Sequence, residues 1–155
     1  MNHNRVGIEY FGMRSFFQFI VVALVVLGIL VALRGYGFTA KTPAIFASEP
    51  LESVLEQADK DGKAVLVKFT AAWCGPCKVM DADVFGNAEH ADAIAKLCRV
   101  KAVDIDEFKE TARDYKINVI PTLVLIKDGV ILSRKDGGMN GPGLVKWLNN
   151  SLTSY

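Results

Sequence analysis

The apolar run Ala64 to Phe69 leads directly into Trp73-Cys74-Gly75-Pro76-Cys77-Lys78, and this junction limits the possible fold more than any other stretch of the chain. A short apolar run of this kind reads as a buried strand, and the Cys-x-x-Cys that follows opens a helix. There the first sulfur lies beside unpaired backbone N–H groups and the positive end of the helix dipole, a setting that favours a thiolate. Cys74 is therefore the expected nucleophile. Cys77, one turn later, is placed to attack a mixed disulfide on Cys74 and release the partner reduced, so it reads as the resolving thiol. Pro76 falls in the first turn, where its missing N–H costs little, and Gly75 leaves the approach to sulfur open.

Two blander readings compete. Half of a zinc site would need four ligands, and beyond the pair the chain offers only Cys98, His3 and His90, with no second pair at ligand spacing. A static disulfide closing so short a loop would constrain the unfolded chain very little. Redox exchange is the favoured chemistry, with no metal and no cofactor other than the cysteine pair.

Periodicity supplies the surrounding elements. Leu51 to Asp59 reads as an amphipathic helix ended by Asp61-Gly62, and Gly75 to about Phe85 as the helix after the cysteines. A second helix starts at the cap candidate Asn87, Arg99 to Ile105 is a strand, and Asp106 is a candidate cap for a helix to about Tyr115. Asp128-Gly129 marks a hairpin between Thr122–Ile126 and Val130–Arg134, followed by helical spacing at Leu144, Val145, Trp147, Leu148 and Leu152. Strands joined by helices and closed by a hairpin predict an α/β fold with a mixed central sheet and helices on both faces.

Val65 to Lys78, VLVKFTAAWCGPCK, resembles the active-site strand and helix of the thioredoxin family. Ile120-Pro121-Thr122 resembles the family's cis-proline loop, and Gly137 matches the glycine that lets substrate backbone approach. The likeness covers residues 48–155 and implies a thioredoxin fold. It also implies a thiol-disulfide oxidoreductase in which Trp73, Gly75, Pro76 and Lys78 shape the site and the Ile120 peptide, with Pro121 and Gly137, holds an extended substrate strand. Gly-Pro between the cysteines resembles the reducing members. Val84-Phe85 and Asn87 also look like the electron-receiving C-terminal domain of transmembrane thiol-disulfide interchange proteins.

Three positions depart from the family. Lys68 stands six residues before Cys74, where thioredoxins usually carry a buried aspartate, and Ala102 stands where that aspartate's lysine partner is often found. Asp104 lies two residues on, on the same strand face. The departure admits two readings: a Lys68–Asp104 pair of exchanged polarity with a redox role, or a lysine whose amine snorkels to water. Thr70 replaces a large aromatic beside the site. Cys98 reads as a small buried hydrophobe and His90 as a surface helix residue.

Phe16 to Leu33 is an 18-residue run with Gln18 its only polar side chain. As a helix it measures about 27 Å, enough to span a bilayer. A cleaved signal peptide would place its site after Ala47, far from the apolar run, so an uncleaved signal anchor is expected. The organisation is then a head at 1–15, a transmembrane helix at 16–33, a tether at 34–47 and a thioredoxin-like domain at 48–155. Arg5 and Arg14 precede the span while Arg34 and Lys41 follow it, so charge does not orient it. A short head and a long tail point to an inner-membrane, single-pass protein with its domain in the periplasm or an equivalent space.

From Ser48 onward the chain carries 14 basic against 16 acidic residues, a near-balance that gives no indication of nucleic acid binding and fits a protein that meets other proteins rather than polyanions. The expected partners are proteins bearing disulfides. No dinucleotide fingerprint is present, so an upstream transmembrane thiol donor is expected to recharge the dithiol. A disulfide oxidase or isomerase on the same fold, and a non-catalytic metal-relay or chaperone module, are the alternatives.

Overall fold

β1 (Ala64–Thr70) is the centre of the domain, flanked by a strand on each side, which explains why six of its seven residues are buried on both faces. It runs parallel to β2 (Cys98–Asp104) and antiparallel to β3 (Thr122–Lys127). β3 pairs antiparallel with β4 (Val130–Asp136), giving the four-stranded mixed order β2-β1-β3-β4. The computed structural model describes residues 9–35 and 42–155. The chain forms two units, 1–40 and 41–155, each described by itself.

Alternation along β1 divides the core in two. Ala64 and Leu66 join Leu123 and Leu125 against α4 (Ala88–Leu97) and α6 (Gly141–Thr153), while Val65, Val67 and Phe69 join Val124 and Ile126 against α2 (Leu51–Asp61). Helices thus cover both faces, as expected. α2 buries Leu51, Val54 and Ala58 and ends at Gly62, whose φ of 65° is left-handed. The β3–β4 turn places Asp128 and Gly129 at φ 50° and 73°, the backbone of a tight hairpin.

The helix after the cysteines has a junction that the sequence did not indicate. α3 (Gly75–Met80) passes into a π-helical turn, Asp81–Phe85, closed by the Gly86 N–H donating to the Asp81 carbonyl at 2.7 Å. α4 is capped by Asn87 as expected, its Oδ1 accepting the His90 N–H. Asp106, however, caps nothing. α5 (Lys109–Asp114) starts after Phe108, and the Asp106 side chain is engaged elsewhere.

The segment expected as the end of the tether is part of the domain. Phe46 bridges Val100 at the outer edge of β2, the Ala47 N–H donates to the Val100 carbonyl at 2.8 Å, and the Phe46 ring packs on Phe85 at 4.8 Å.

In the other unit, α1 (Glu9–Gly35) runs through the apolar segment. Its described side chains, 17–30, are all exposed and apolar apart from Gln18. Among the described residues no helix is long and apolar enough to cross a membrane, and the expected transmembrane helix at 16–33 lies partly outside the described side chains. The side chains of residues 16 and 31–33 lie outside the described residues, as do 1–8 of the expected head and 36–41 of the tether.

Candidate active site

β1 delivers the chain to the site and α3 holds it there. Cys74 is the N-cap of α3, and its Sγ accepts the Cys77 N–H at 3.2 Å. The two sulfurs are bonded at 2.04 Å, so this is the oxidised form. Cys74 retains 3% exposure and Cys77 none; both rest on Ala71, Ile105 and Ile120. Gly75, Pro76 and Lys78 are exposed around them. Trp73 is 66% exposed and is oriented by its indole N–H, which donates to the Asp106 carboxylate at 2.7 Å.

The second strand–loop junction closes the site from the other side. The Ile120–Pro121 bond is cis, Pro121 is buried and Ile120 half-buried. Gly137, at φ 84°, donates its N–H to the Pro121 carbonyl at 2.8 Å and so joins the loop. A Cβ at Gly75 or at Gly137 would meet nothing within 4 Å, so each faces open space. The loop is further held by the buried Thr122, whose hydroxyl lies 2.7 Å from the Val119 carbonyl and 3.0 Å from Asp136 Oδ1. Arg134 donates to the same Asp136 oxygen and to the Tyr115 and Lys116 carbonyls. This network holds the Asp136 carboxyl below its ordinary range, chiefly through Arg134 and then Thr122.

Lys68 is fully buried against Cys77, as the reading with a redox role requires, while the snorkelling reading and the Asp104 partner are corrected. Its ammonium does not reach water, and it does not pair with Asp104, whose Oδ1 accepts the Asp106 N–H instead. Lys68 Nζ donates to Asp81 Oδ1 at 2.5 Å and to the Cys77 carbonyl at 3.3 Å, and lies 5.5 and 5.7 Å from the Phe46 and Phe85 ring centres. Burial lowers its pKa, while the hydrogen bond and charge of Asp81 act in the opposite direction. Ala102 does sit opposite Lys68 on β2. Asp81 is the residue that sequence reasoning missed. It lies four residues after Cys77, on the helix face turned to β1, and an acid at that spacing was the available signal.

Cys98 is buried and its thiol is pushed up to about 12 by burial, as befits an inert side chain. His90 is not a free surface residue: it is half-buried with its ring against Gly141. Among the described residues no three His, Cys, Asp or Glu side chains cluster to hold a metal.

A central strand, a disulfide at a helix start and a facing cis-proline loop define a dithiol–disulfide exchange domain. The thioredoxin family profile matches residues 45–150, and the chain belongs to that family. It is 39% identical over 97 residues to an H-type thioredoxin of Oryza sativa subsp. indica, covering 59% of this chain and 76% of that one. It is 38% identical over 109 residues to a thioredoxin of Mycobacterium tuberculosis strain H37Rv, covering 70% and 84%. A poplar wild-type thioredoxin h superposes with a TM-score of 0.56 at 28% identity, covering 70% of this chain and 94% of that one. The chain is thus a thiol-disulfide oxidoreductase whose cysteine pair is the catalytic centre and which acts on disulfide-bearing proteins without a further cofactor.

Proposed function

We propose that this chain is a membrane-anchored protein-disulfide reductase. The Cys74 thiolate attacks a client disulfide, one client sulfur leaves as a thiolate and takes a proton, and a mixed disulfide remains on Cys74. The Cys77 thiolate then attacks Cys74 Sγ and releases the second client sulfur. Two electrons have moved to the client, and the domain holds the Cys74–Cys77 bond seen here. The observation that carries this order is Cys74 at the head of α3, receiving the Cys77 N–H while Cys77 itself is sealed.

Trp73, Gly75, Pro76 and Lys78 frame the attacked bond. The Ile120 peptide beside Pro121, with Gly137 adjoining it, pairs with the client strand, and Lys68 fixes Cys77 from below through its carbonyl. A dithiol donor on the membrane returns the two electrons. The anchor reading is supported by the apolar run 16–33 and by the exposed described side chains of α1, apolar apart from Gln18. A helix apolar on all sides needs lipid or protein around it. On this reading the domain faces the periplasm or its equivalent, beyond the cytoplasmic membrane.

The deciding experiment is the equilibrium potential of the Cys74/Cys77 pair, with Cys74→Ser as control. A value near that of thioredoxin, about −270 mV, is expected. A value near about −120 mV would assign disulfide formation instead, and no reversible disulfide would leave the binding-module reading. A phosphatase fused after Tyr155 tests the topology: it is expected to be active only if exported.

A further inference from the structure

Lys68 is a buried cation whose charge the exchange steps leave unused. Its ammonium donates to Asp81 Oδ1 at 2.5 Å and to the Cys77 carbonyl at 3.3 Å. What remains of its surface meets two ring faces, Phe46 and Phe85, whose centres lie 5.5 and 5.7 Å from Nζ, within cation–π range. The rings also pack on each other. Phe85 is buried and Phe46 half-buried, so on this side Phe46 is the layer between the ammonium and solvent. Phe46 comes from the segment that leads into the domain ahead of α2, and its backbone is fixed there. Its N–H donates to the Pro43 carbonyl at 3.2 Å, the next N–H donates to the Val100 carbonyl, and Lys101 Nζ donates to the Ala47 and Ser48 carbonyls at 3.1 and 3.5 Å.

We infer that Phe46 is a positioning residue for the resolving step: it keeps the Lys68 ammonium dry beneath Cys77, so that the positive charge favours the Cys77 thiolate. This rests on the exchange reading above. In that step the Cys77 thiol gives its proton to solvent, the thiolate bonds to Cys74 Sγ, and the client sulfur leaves as a thiolate. A nearby cation favours thiolate over thiol, and a charge acts more strongly across a dry interior than across water. The charged group in hydrogen-bond contact with Cys77 is the ammonium, with Asp81 behind it, so the carboxylate weakens the effect without cancelling it. The cysteine pair otherwise rests on Ala71, Ile105 and Ile120, while Lys78 is exposed and Asp106 is engaged by Trp73. Across the sheet Lys68 is flanked by Ala102 and Leu123, which bring no charge. Water admitted at Phe46 would screen the ammonium and leave Cys77 the weaker acid.

The test uses the full-length chain, reduced, in non-ionic detergent, mixed in stopped flow with an equimolar symmetrical aromatic disulfide whose thiolate is coloured. Attack by Cys74 releases the first thiolate, and attack by Cys77 on the mixed disulfide releases the second, so the two phases separate the two steps. Phe46→Ala is expected to raise the midpoint of the second phase's pH profile by about one pH unit, and that of the first by less than half as much. A rise of one unit cuts the thiolate fraction at neutral pH about tenfold, and the greater nucleophilicity of the more basic sulfur returns about threefold, so the second phase slows about threefold. Phe46→Leu, which keeps the bulk without a ring face, is expected to move the midpoint in the same direction, and Phe46→Tyr to keep the parent value. In Lys68→Met the midpoint is expected to be raised already, with no further change on adding Phe46→Ala. A parent-like second phase in both Phe46→Ala and Phe46→Leu overturns the inference and leaves the exchange reading standing. An equal shift in the Lys68→Met background also overturns it, assigning Phe46 to packing alone. No coloured thiolate from the parent overturns the exchange reading and this inference together.

Discussion

Replacing Asp81 with Asn keeps the side-chain shape but leaves the Lys68 ammonium buried beside a neutral amide, the Cys77 carbonyl and two aromatic faces. Removing one partner of a fully buried pair costs about 3–5 kcal/mol. Asp81 is 26% exposed, so water already screens part of this attraction. The expected loss is therefore about 2–3 kcal/mol, a substantial part of a total near 5–15 kcal/mol, and a fall in melting temperature of about 10 °C. The assay is urea unfolding of the oxidised 41–155 fragment, with Lys68→Met and the Lys68→Met/Asp81→Ala double variant. The double variant, having no stranded charge, is expected within about 1 kcal/mol of the parent. The pH dependence has a definite sign. The folded pKa of Lys68 is lowered, first by desolvation, so between that value and the unfolded value of about 10.4 the unfolded chain binds more protons and stability rises with pH. Without Asp81 that window opens at lower pH, and the deficit of Asp81→Asn narrows as pH rises through it. A loss below about 0.5 kcal/mol, or a double variant no better than Asp81→Asn, would refute the buried-pair reasoning.

Three further outcomes are expected. Gly141→Ala would put its Cβ 1.9 Å from His90 Cδ2, so it should destabilise the domain by about 1–3 kcal/mol in urea unfolding, with most of the loss recovered in Gly141→Ala/His90→Ala. Arg134→Met should return the Asp136 carboxyl toward its ordinary range by NMR titration and raise KM for protein disulfides several-fold, while a small aromatic disulfide is reduced at the parent rate. In the parent, the Arg134–Asp136 contribution is present above the ordinary carboxylate range and is lost as pH falls through the lowered Asp136 pKa. Cys98, with its thiol pushed up to about 12, should resist alkylation at pH 8 in the folded, reduced protein and react fully in urea, so mass spectrometry of native samples should find no adduct on Cys98.

Features governed by neighbouring residues in sequence were legible in advance. The buried strand, the helix opened by Cys-x-x-Cys, the Asn87 cap and the Asp128-Gly129 turn each depend on a few adjacent residues, and the structure returns all four. Features that depend on which faces meet were not. Asp106 has the composition of a helix cap, but its carboxylate meets the Trp73 indole across 33 residues, a contact that no local pattern encodes. Phe46 looked like tether because a single-residue bridge to Val100 leaves no periodic trace. The π turn at Asp81–Phe85 is marked by no residue type.

Lys68 shows why a departure from a family pattern should be followed through space rather than along the strand. With lysine in β1, Asp104 was the nearest acid by face alternation, yet β2 presents Ala102 opposite Lys68 and turns Asp104 toward the Asp106 backbone. The acid comes instead from the helix that carries Cys77. The Asp81 N–H and the Lys68 ammonium both donate to the Cys77 carbonyl, so the cation is fixed in the sheet while its counter-ion moves with the resolving cysteine. Both charges lie beneath Cys77, and the attacking sulfur at the head of α3 is not in direct contact with either. On these contacts, a change at Lys68 or Asp81 should register in the step that Cys77 performs before it registers in the attack by Cys74.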